Sequence, residues 1–72
     1  MPYASLESLP PAIRLHLPLH AQEIYLSAFN NAWDYYGRHD PFRREEIARR
    51  VAWAAVKRRY GKRDEDWVPL FN

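Results

Sequence analysis

A mainly α fold, with at most a small α+β character, follows from three observations on this 72-residue sequence. Apolar residues recur at helical spacing over two long stretches, and prolines and glycines punctuate between them. The segments at either end are too short and irregular for helices. The expected architecture is a compact three-helix domain, one short helix and then two longer ones, beside a small sheet that the N- and C-terminal segments could form.

Residues 1–9 carry no helical period. Pro2, Pro10 and Pro11 frame Tyr3-Ala4-Ser5-Leu6, read as extended chain able to pair as a short strand. Ser8 is placed to cap a first helix that opens on Pro10-Pro11, whose fixed φ suits a first turn, and Pro18 ends it.

The second helix is the clearest element. Ala21, Ile24, Tyr25, Ala28, Phe29, Ala32, Trp33 and Tyr36 fall on one face, with Glu23, Ser27, Asn30 and Asp34 opposite. With His20 as N-cap, Leu19 and Ile24 occupy the two positions of a hydrophobic staple, and Gly37 supplies the stop. The third helix is expected from Asp40-Pro41, which provide a cap and a first-turn proline, to Tyr60 before Gly61. At 100° per residue it has one apolar arc of Ile47, Ala48, Val51, Ala52, Ala54 and Ala55, and a second of Trp53, Val56 and Tyr60. A narrow polar ridge of Arg43, Glu46, Arg50 and Lys57 remains. The helix is therefore expected at the centre, its alanines against helix two and its aromatics against the termini. After Gly61, residues 62–66 read as a charged loop, and Trp67-Val68 as a segment that folds back on Trp53 or pairs with the Tyr3 segment. No repeat or composition break divides the chain, so residues 1–72 are read as a single domain whose residues 64–72 form an acidic, then apolar, tail.

A chain of this length buries only roughly 60% of its unfolded surface. Its expected stability is about 4–10 kcal/mol. The absence of cysteine removes disulfides and thiolate metal sites and points to a reducing, cytoplasmic setting. Met1-Pro2-Tyr3 does not open a secretory leader, and no apolar run approaches the ~20 residues of a membrane span. Composition, 47% apolar and 15% aromatic, excludes a disordered tail.

Charge is segregated along the chain. Residues 1–37 set Arg14 against Glu7, Glu23 and Asp34, a net of −2, and residues 38–63 set ten Lys/Arg against Asp40, Glu45 and Glu46, a net of +7. Asp64, Glu65 and Asp66 return the total to +2. The basic ridge of Arg43, Arg50 and Lys57 recurs every seven residues and is the best candidate surface for phosphates or an acidic protein. The competing reading is a solvated face in which Glu46 and Arg50 form an i,i+4 pair. The six aromatics between Tyr25 and Tyr60 that share helical spacing read as core, whereas Trp67 in the Trp-Val-Pro-Leu-Phe tail is a second candidate for partner binding.

Catalytic chemistry finds no support. Ser5, Ser8 and Ser27 lack a His/Asp arrangement, and two glycines do not make a phosphate loop. His16 and His20 have metal-pair spacing, but Pro18 breaks the helix that would align them, and His39 stands alone. The expectation is no enzyme, no metal and no cofactor.

Several strings in this order resemble the ChaB family: Met1-Pro2-Tyr3, Leu9-Pro10, the run Leu17 to Tyr25, Ala28-Phe29-Asn30, Ala32-Trp33-Asp34, Arg44-Glu45-Glu46 and Val51 to Lys57 with Tyr60. The likeness spans residues 1 to about 67. It implies a compact helical domain with a small accessory sheet, and a role in regulating a sodium/calcium–proton antiporter, the association for which the family is named. It carries no catalytic or cofactor residues. The connection from Gly37 to Phe42 is short for the family, and the tail ends in Pro69-Leu70-Phe71 where charged residues are usual. Two expectations follow. The first is a cytoplasmic regulatory protein, monomeric and not membrane-spanning, that docks on a protein partner through Arg43, Arg50, Lys57 and Trp67. The second is a nucleic-acid binder that uses the basic segment 38–63, consistent with a calculated pI near 9.2.

Overall fold

The computed structural model describes residues 3–64 and 66–70. Three helices, α1 (Pro11–His16), α2 (Leu19–His39) and α3 (Arg44–Arg59), precede a two-stranded antiparallel sheet of β1 (Tyr60–Arg63) and β2 (Asp66–Pro69). The mainly α class with a small sheet is therefore correct, but both strands come from the C-terminal end. The described part of the N-terminal segment, from Tyr3, contributes no strand. Leu6–Ser8 form a 3-10 turn, and Tyr3 is held by a side chain: its N–H donates to Asn30 Oδ1 and its carbonyl accepts from Asn30 Nδ2, both at 2.9 Å.

Helix α1 starts one residue later than Ser8-Pro10 suggested. Pro11 takes the first position, and the Pro10 carbonyl accepts from the N–H groups of Ile13 and Arg14. Proline costs nothing at this first position, because the N–H it lacks would have no partner within the helix. At the other end Gln22 reaches back from α2 and donates to the carbonyls of Leu17 (2.9 Å) and Arg14 (3.3 Å), groups that Pro18 leaves without helical partners.

Helix α2 buries Ala21, Tyr25, Phe29 and Ala32, an almost four-residue period that selects one stripe. Its ends differ from expectation. Pro18 is the N-cap and Leu19 is already helical and 63% exposed, so no staple with Ile24 forms. His20 lies inside the first turn with Nδ1 3.2 Å from Glu23 Oε1. Gly37 does not stop the helix, which runs on to His39 and closes with the Asp40 N–H on the Tyr36 carbonyl. The glycine serves another purpose: a Cβ there would sit 2.5 Å from Arg44 Nη1, so its absence makes room for the guanidinium that lies 4.1 Å over the Trp33 ring.

Residues 40–43 make the turn between the long helices, with the Arg43 N–H on the Asp40 carbonyl, and Phe42 at its tip is 98% exposed. Helix α3 accordingly begins at Arg44 rather than Asp40, and Glu45 and Glu46 in its first turn complement the helix dipole without any side-chain cap. Ala48, Ala52 and Val56 are fully buried against the α2 stripe, the small side chains that allow close helix approach. The apolar arc is narrower than its sequence, because Val51 is 37% exposed and Ala54 is exposed as well. One long neighbour cannot cover both flanks of a helix, so α3 is packed on one side rather than central.

Tyr60, buried, passes the chain directly from α3 into β1. The hairpin pairs Tyr60 with Pro69, Gly61 with Val68, Lys62 with Trp67 and Arg63 with Asp66. The charged stretch expected as loop is thus mostly strand. Its reversal rests on Asp64 at φ 58°, a left-handed conformation that Asp tolerates better than most residues. Beyond the last pair the Leu70 N–H donates to the Arg59 carbonyl at 2.9 Å, tying the hairpin to the end of α3. Leu9, Ile13 and Leu17 complete a hydrophobic cluster with the α2 and α3 stripes and Tyr60.

Candidate functional site

An aromatic row runs through this cluster. Tyr3 lies against Phe29 (centroids 4.8 Å), Phe29 against Trp33 (5.8 Å) and Tyr25 (6.1 Å), Tyr25 edge-on to Trp53 (5.4 Å), and Trp53 against Trp67 (5.4 Å). Trp53 and Trp67 are half-buried, so the row reaches the surface at this end. Trp67 folding back on Trp53 is one of the two arrangements its sequence allowed. The alternating register of the hairpin decides which side chains join it: Tyr60, Lys62, Trp67 and Pro69 share the face that looks toward the helices.

Two adjoining depressions meet at this point. The first, about 460 Å³, lies between Ala12, Ile13 and His16 of α1, Trp53 and Lys57 of α3, and Lys62 and Trp67 of the hairpin. The second, about 500 Å³, continues along α3 past Trp53, Ala54 and Lys57 to Glu46, Arg49 and Arg50. Because Trp53 and Lys57 line both, they form one shallow groove with an aromatic floor and a basic rim. The cations on that rim are not equivalent. Arg50 lies 2.8 Å from Glu46 and Arg49 3.3 Å from Glu45, each an exposed i,i+4 pair. Lys57 and Lys62 have no carboxylate partner among the described residues.

Of the four residues singled out from sequence, Lys57 and Trp67 meet at the first depression and Arg50 lines the second. Arg43 lies apart, exposed in the turn before α3. Trp53, Lys62, His16 and Arg49 were not singled out. The i,i+4 spacing of Trp53 and Lys57 was readable in the helix, whereas Lys62 joins only through its register opposite Trp67. The seven-residue ridge is therefore split, its first member outside the groove and its second already neutralised.

Titration marks the buried part of the row. Desolvation of the Tyr25 phenol, with Tyr3 close by, pushes its pKa from 10.0 up to about 12, against a smaller opposing influence of Arg49. Near the chain start a backbone hydrogen bond, then Ser5, holds the exposed Glu7 carboxyl below its ordinary range. Among the described residues no three His, Cys, Asp or Glu side chains come together as a metal-holding group, and no helix is long and apolar enough to cross a membrane. His16 points into the groove region while His20 stands near Tyr60 (centroids 6.3 Å), so the two histidines part company at Pro18.

Fold and groove together define a class: a small protein of one short and two long helices whose closing hairpin completes an aromatic, basic-rimmed surface groove. The ChaB family model matches residues 9–69, and this chain belongs to the ChaB family. It is 51% identical over 70 residues to proteins of Escherichia coli K12 and Shigella flexneri, each named "Putative cation transport regulator ChaB", with 92% of this chain and 92% of the relative covered. The NMR solution structure of a protein with that name superimposes with a TM-score of 0.84 at 45% identity, over 97% of this chain and all of the other.

Proposed function

We propose that this chain is a non-enzymatic regulator of cation transport that acts in the cytoplasm, as a monomer and without a cofactor, by docking on a protein through the Trp53–Trp67 groove. The carrying observation is that the half-buried pair Trp53 and Trp67, at one end of the aromatic row, stands beside Lys57 and Lys62, neither of which has a carboxylate partner among the described residues. A half-buried tryptophan pair supplies the aromatic anchor of a protein interface, with the lysines at its polar rim. The family's name directs the choice of partner to the cytosolic face of a cation antiporter. Arg50 and Trp67 border the groove, and Arg43 extends the basic surface beyond it.

The test is cation/proton exchange in everted membrane vesicles that contain the antiporter, with and without added protein. Exchange is expected to change on addition of the wild-type chain and not on addition of Lys57→Glu. Equal effects of the two proteins, or no effect of either, sink this reading.

A second reading, nucleic-acid binding by segment 38–63, draws on its net charge of +7. Three phosphate contacts would give a log–log salt slope of about −3. The Arg49–Glu45 and Arg50–Glu46 pairs weigh against it, because they withdraw two of the cations it needs. Binding that ignores salt removes it altogether.

A further inference from the structure

The groove has a polarity that specifies its occupant. Its two halves share Trp53 and Lys57 but differ in charge. Around the Trp53–Trp67 pair the rim carries Lys57 and Lys62, with no carboxylate among the lining residues. Along α3 the cations Arg49 and Arg50 are matched by Glu45 and Glu46, and the exposed Ala54 offers a small apolar floor. An occupant complementary to the whole must place negative charge at one end only, and must lay an apolar body across the two indoles.

The backbone holds the charged end in place. Lys62 sits directly opposite Trp67 in the antiparallel register, so its stem runs beside the indole and its ammonium stays at the rim. Lys57 follows Trp53 by one helical turn and flanks the pair from the other side. Neither ammonium lies over an indole face, since the cation–π contact of the described residues is Arg44 on Trp33 at the opposite end of the row. The part of each indole that the Trp53–Trp67 contact leaves uncovered can therefore take an apolar side chain while the ammonium groups meet carboxylates beside it. Lysines act as point charges and impose no planar bidentate geometry, so carboxylates spaced along a peptide can meet them without a fixed orientation.

We infer that the groove binds a peptide segment of directional character: an aromatic or aliphatic side chain packed on Trp53 and Trp67, carboxylates on one side of it meeting Lys57 and Lys62, and an uncharged stretch on the other side lying along α3 past Ala54. This rests on the protein-docking reading above and names the kind of segment the partner must present. Two cations facing carboxylates at an interface of this kind govern association and specificity, and the apolar anchor supplies the rest of the affinity.

The probe is a short synthetic peptide with aspartates and glutamates preceding a single leucine and uncharged residues following it, titrated into the full chain. Tryptophan fluorescence and backbone amide shifts are followed. Saturable binding is expected, with shifts centred on Trp53, Lys62 and Trp67. It should weaken about tenfold or more in Lys57→Glu/Lys62→Glu, equivalent to about 1.4 kcal/mol, and in a peptide whose leucine is replaced by serine. Arg38→Glu, on the last turn of α2, should leave it unchanged. Circular dichroism of each variant verifies that the fold persists, so lost binding cannot be mistaken for unfolding. No saturable binding, or binding indifferent to the double charge reversal, overturns the inference. So does preference for duplex DNA or phosphatidylglycerol vesicles that is lost in the same double variant while the peptide fails. If the peptide fails but the antiporter still responds to the protein, only this inference falls. If the peptide binds as described but exchange never responds, the transport reading falls and the groove assignment stands.

Discussion

The aromatic row finishes differently at its two ends. At one, Trp33 is covered by the Arg44 guanidinium 4.1 Å from its ring centre, in a space that Gly37 leaves open. At the other, Trp53 and Trp67 are flanked by Lys57 and Lys62, which border the rings without lying over them. Both ends bring cations to indoles, yet only at the Trp33 end does a cation lie over a ring. The difference shows that a count of aromatic and basic residues cannot locate a binding surface. What matters is whether the chain has already used the cation.

The harshest way to break this contrast is to cut the row in the middle. Phe29→Ala removes a ring that touches Tyr3, Tyr25 and Trp33, and a buried truncation of this kind costs about 3–5 kcal/mol. Against an expected stability of about 4–10 kcal/mol the protein should be largely or wholly unfolded at moderate temperature, as read by chemical denaturation. A near-normal midpoint would mean that the two ends do not depend on a common core. Next in size is Ala52→Leu, which overfills the fully buried seam of α2 and α3 and should destabilise by about 1–3 kcal/mol. Ala54→Leu, two residues on and exposed at the groove, should change stability by less than about 0.5 kcal/mol. Similar costs at both sites would contradict the one-sided packing of α3.

Alkaline titration probes the buried stretch with a gentler hand. The folded-state pKa of Tyr25 is raised to about 12 from 10.0, so the unfolded chain ionises first. The folded state binds the extra proton between these values, and stability should be unaffected below pH 10 and decline as pH rises toward 12. Tyr25→Phe should flatten that part of a pH-dependent denaturation series, and an unchanged slope would show that the phenol is not protected. The smallest effect belongs to the closed end. Gly37→Ala gains about 1 kcal/mol of helix propensity. It also pushes Arg44 off Trp33, a contact worth about 0.5–1 kcal/mol. Thermal midpoints should nearly coincide, while the NMR signals of the Trp33 ring move. A still Trp33 would mean that Arg44 finds another path over it.

Helix α2 was legible because burial leaves a periodic trace. Tyr25, Phe29 and the alanines around them recur where one face of a helix must be apolar, and no other arrangement uses that spacing. The hairpin left almost no trace. Each strand has four residues, and Lys62-Arg63-Asp64 reads as solvent-exposed loop by composition. Its pairing is settled by things a local pattern does not contain: Trp67 on Trp53, and the Leu70 N–H on the Arg59 carbonyl. The candidate site inherited this gap, since Lys62 enters the groove through the hairpin register alone. Gly37 misled in the opposite direction. It is a sound stop signal in isolation, overridden because the helix beyond it retains its hydrogen bonds and a neighbouring arginine needs the room. Proline was the more dependable mark, with Pro11 and Pro18 each at the edge of a helix.

Asn30 meets Tyr3 as a strand neighbour would, offering one acceptor and one donor to the two polar groups of a single residue. A carboxamide on a helix thus substitutes for a peptide unit, and it does so across a separation of 27 residues, longer than the hairpin spans. The consequence is one of timing. Local pairings can form early, but this clasp has no counterpart until the middle of α2 is wound and the chain start has returned to it. The Tyr3 segment should therefore be the last part to settle during refolding, and its amide should be among the first to exchange with deuterium in the native protein.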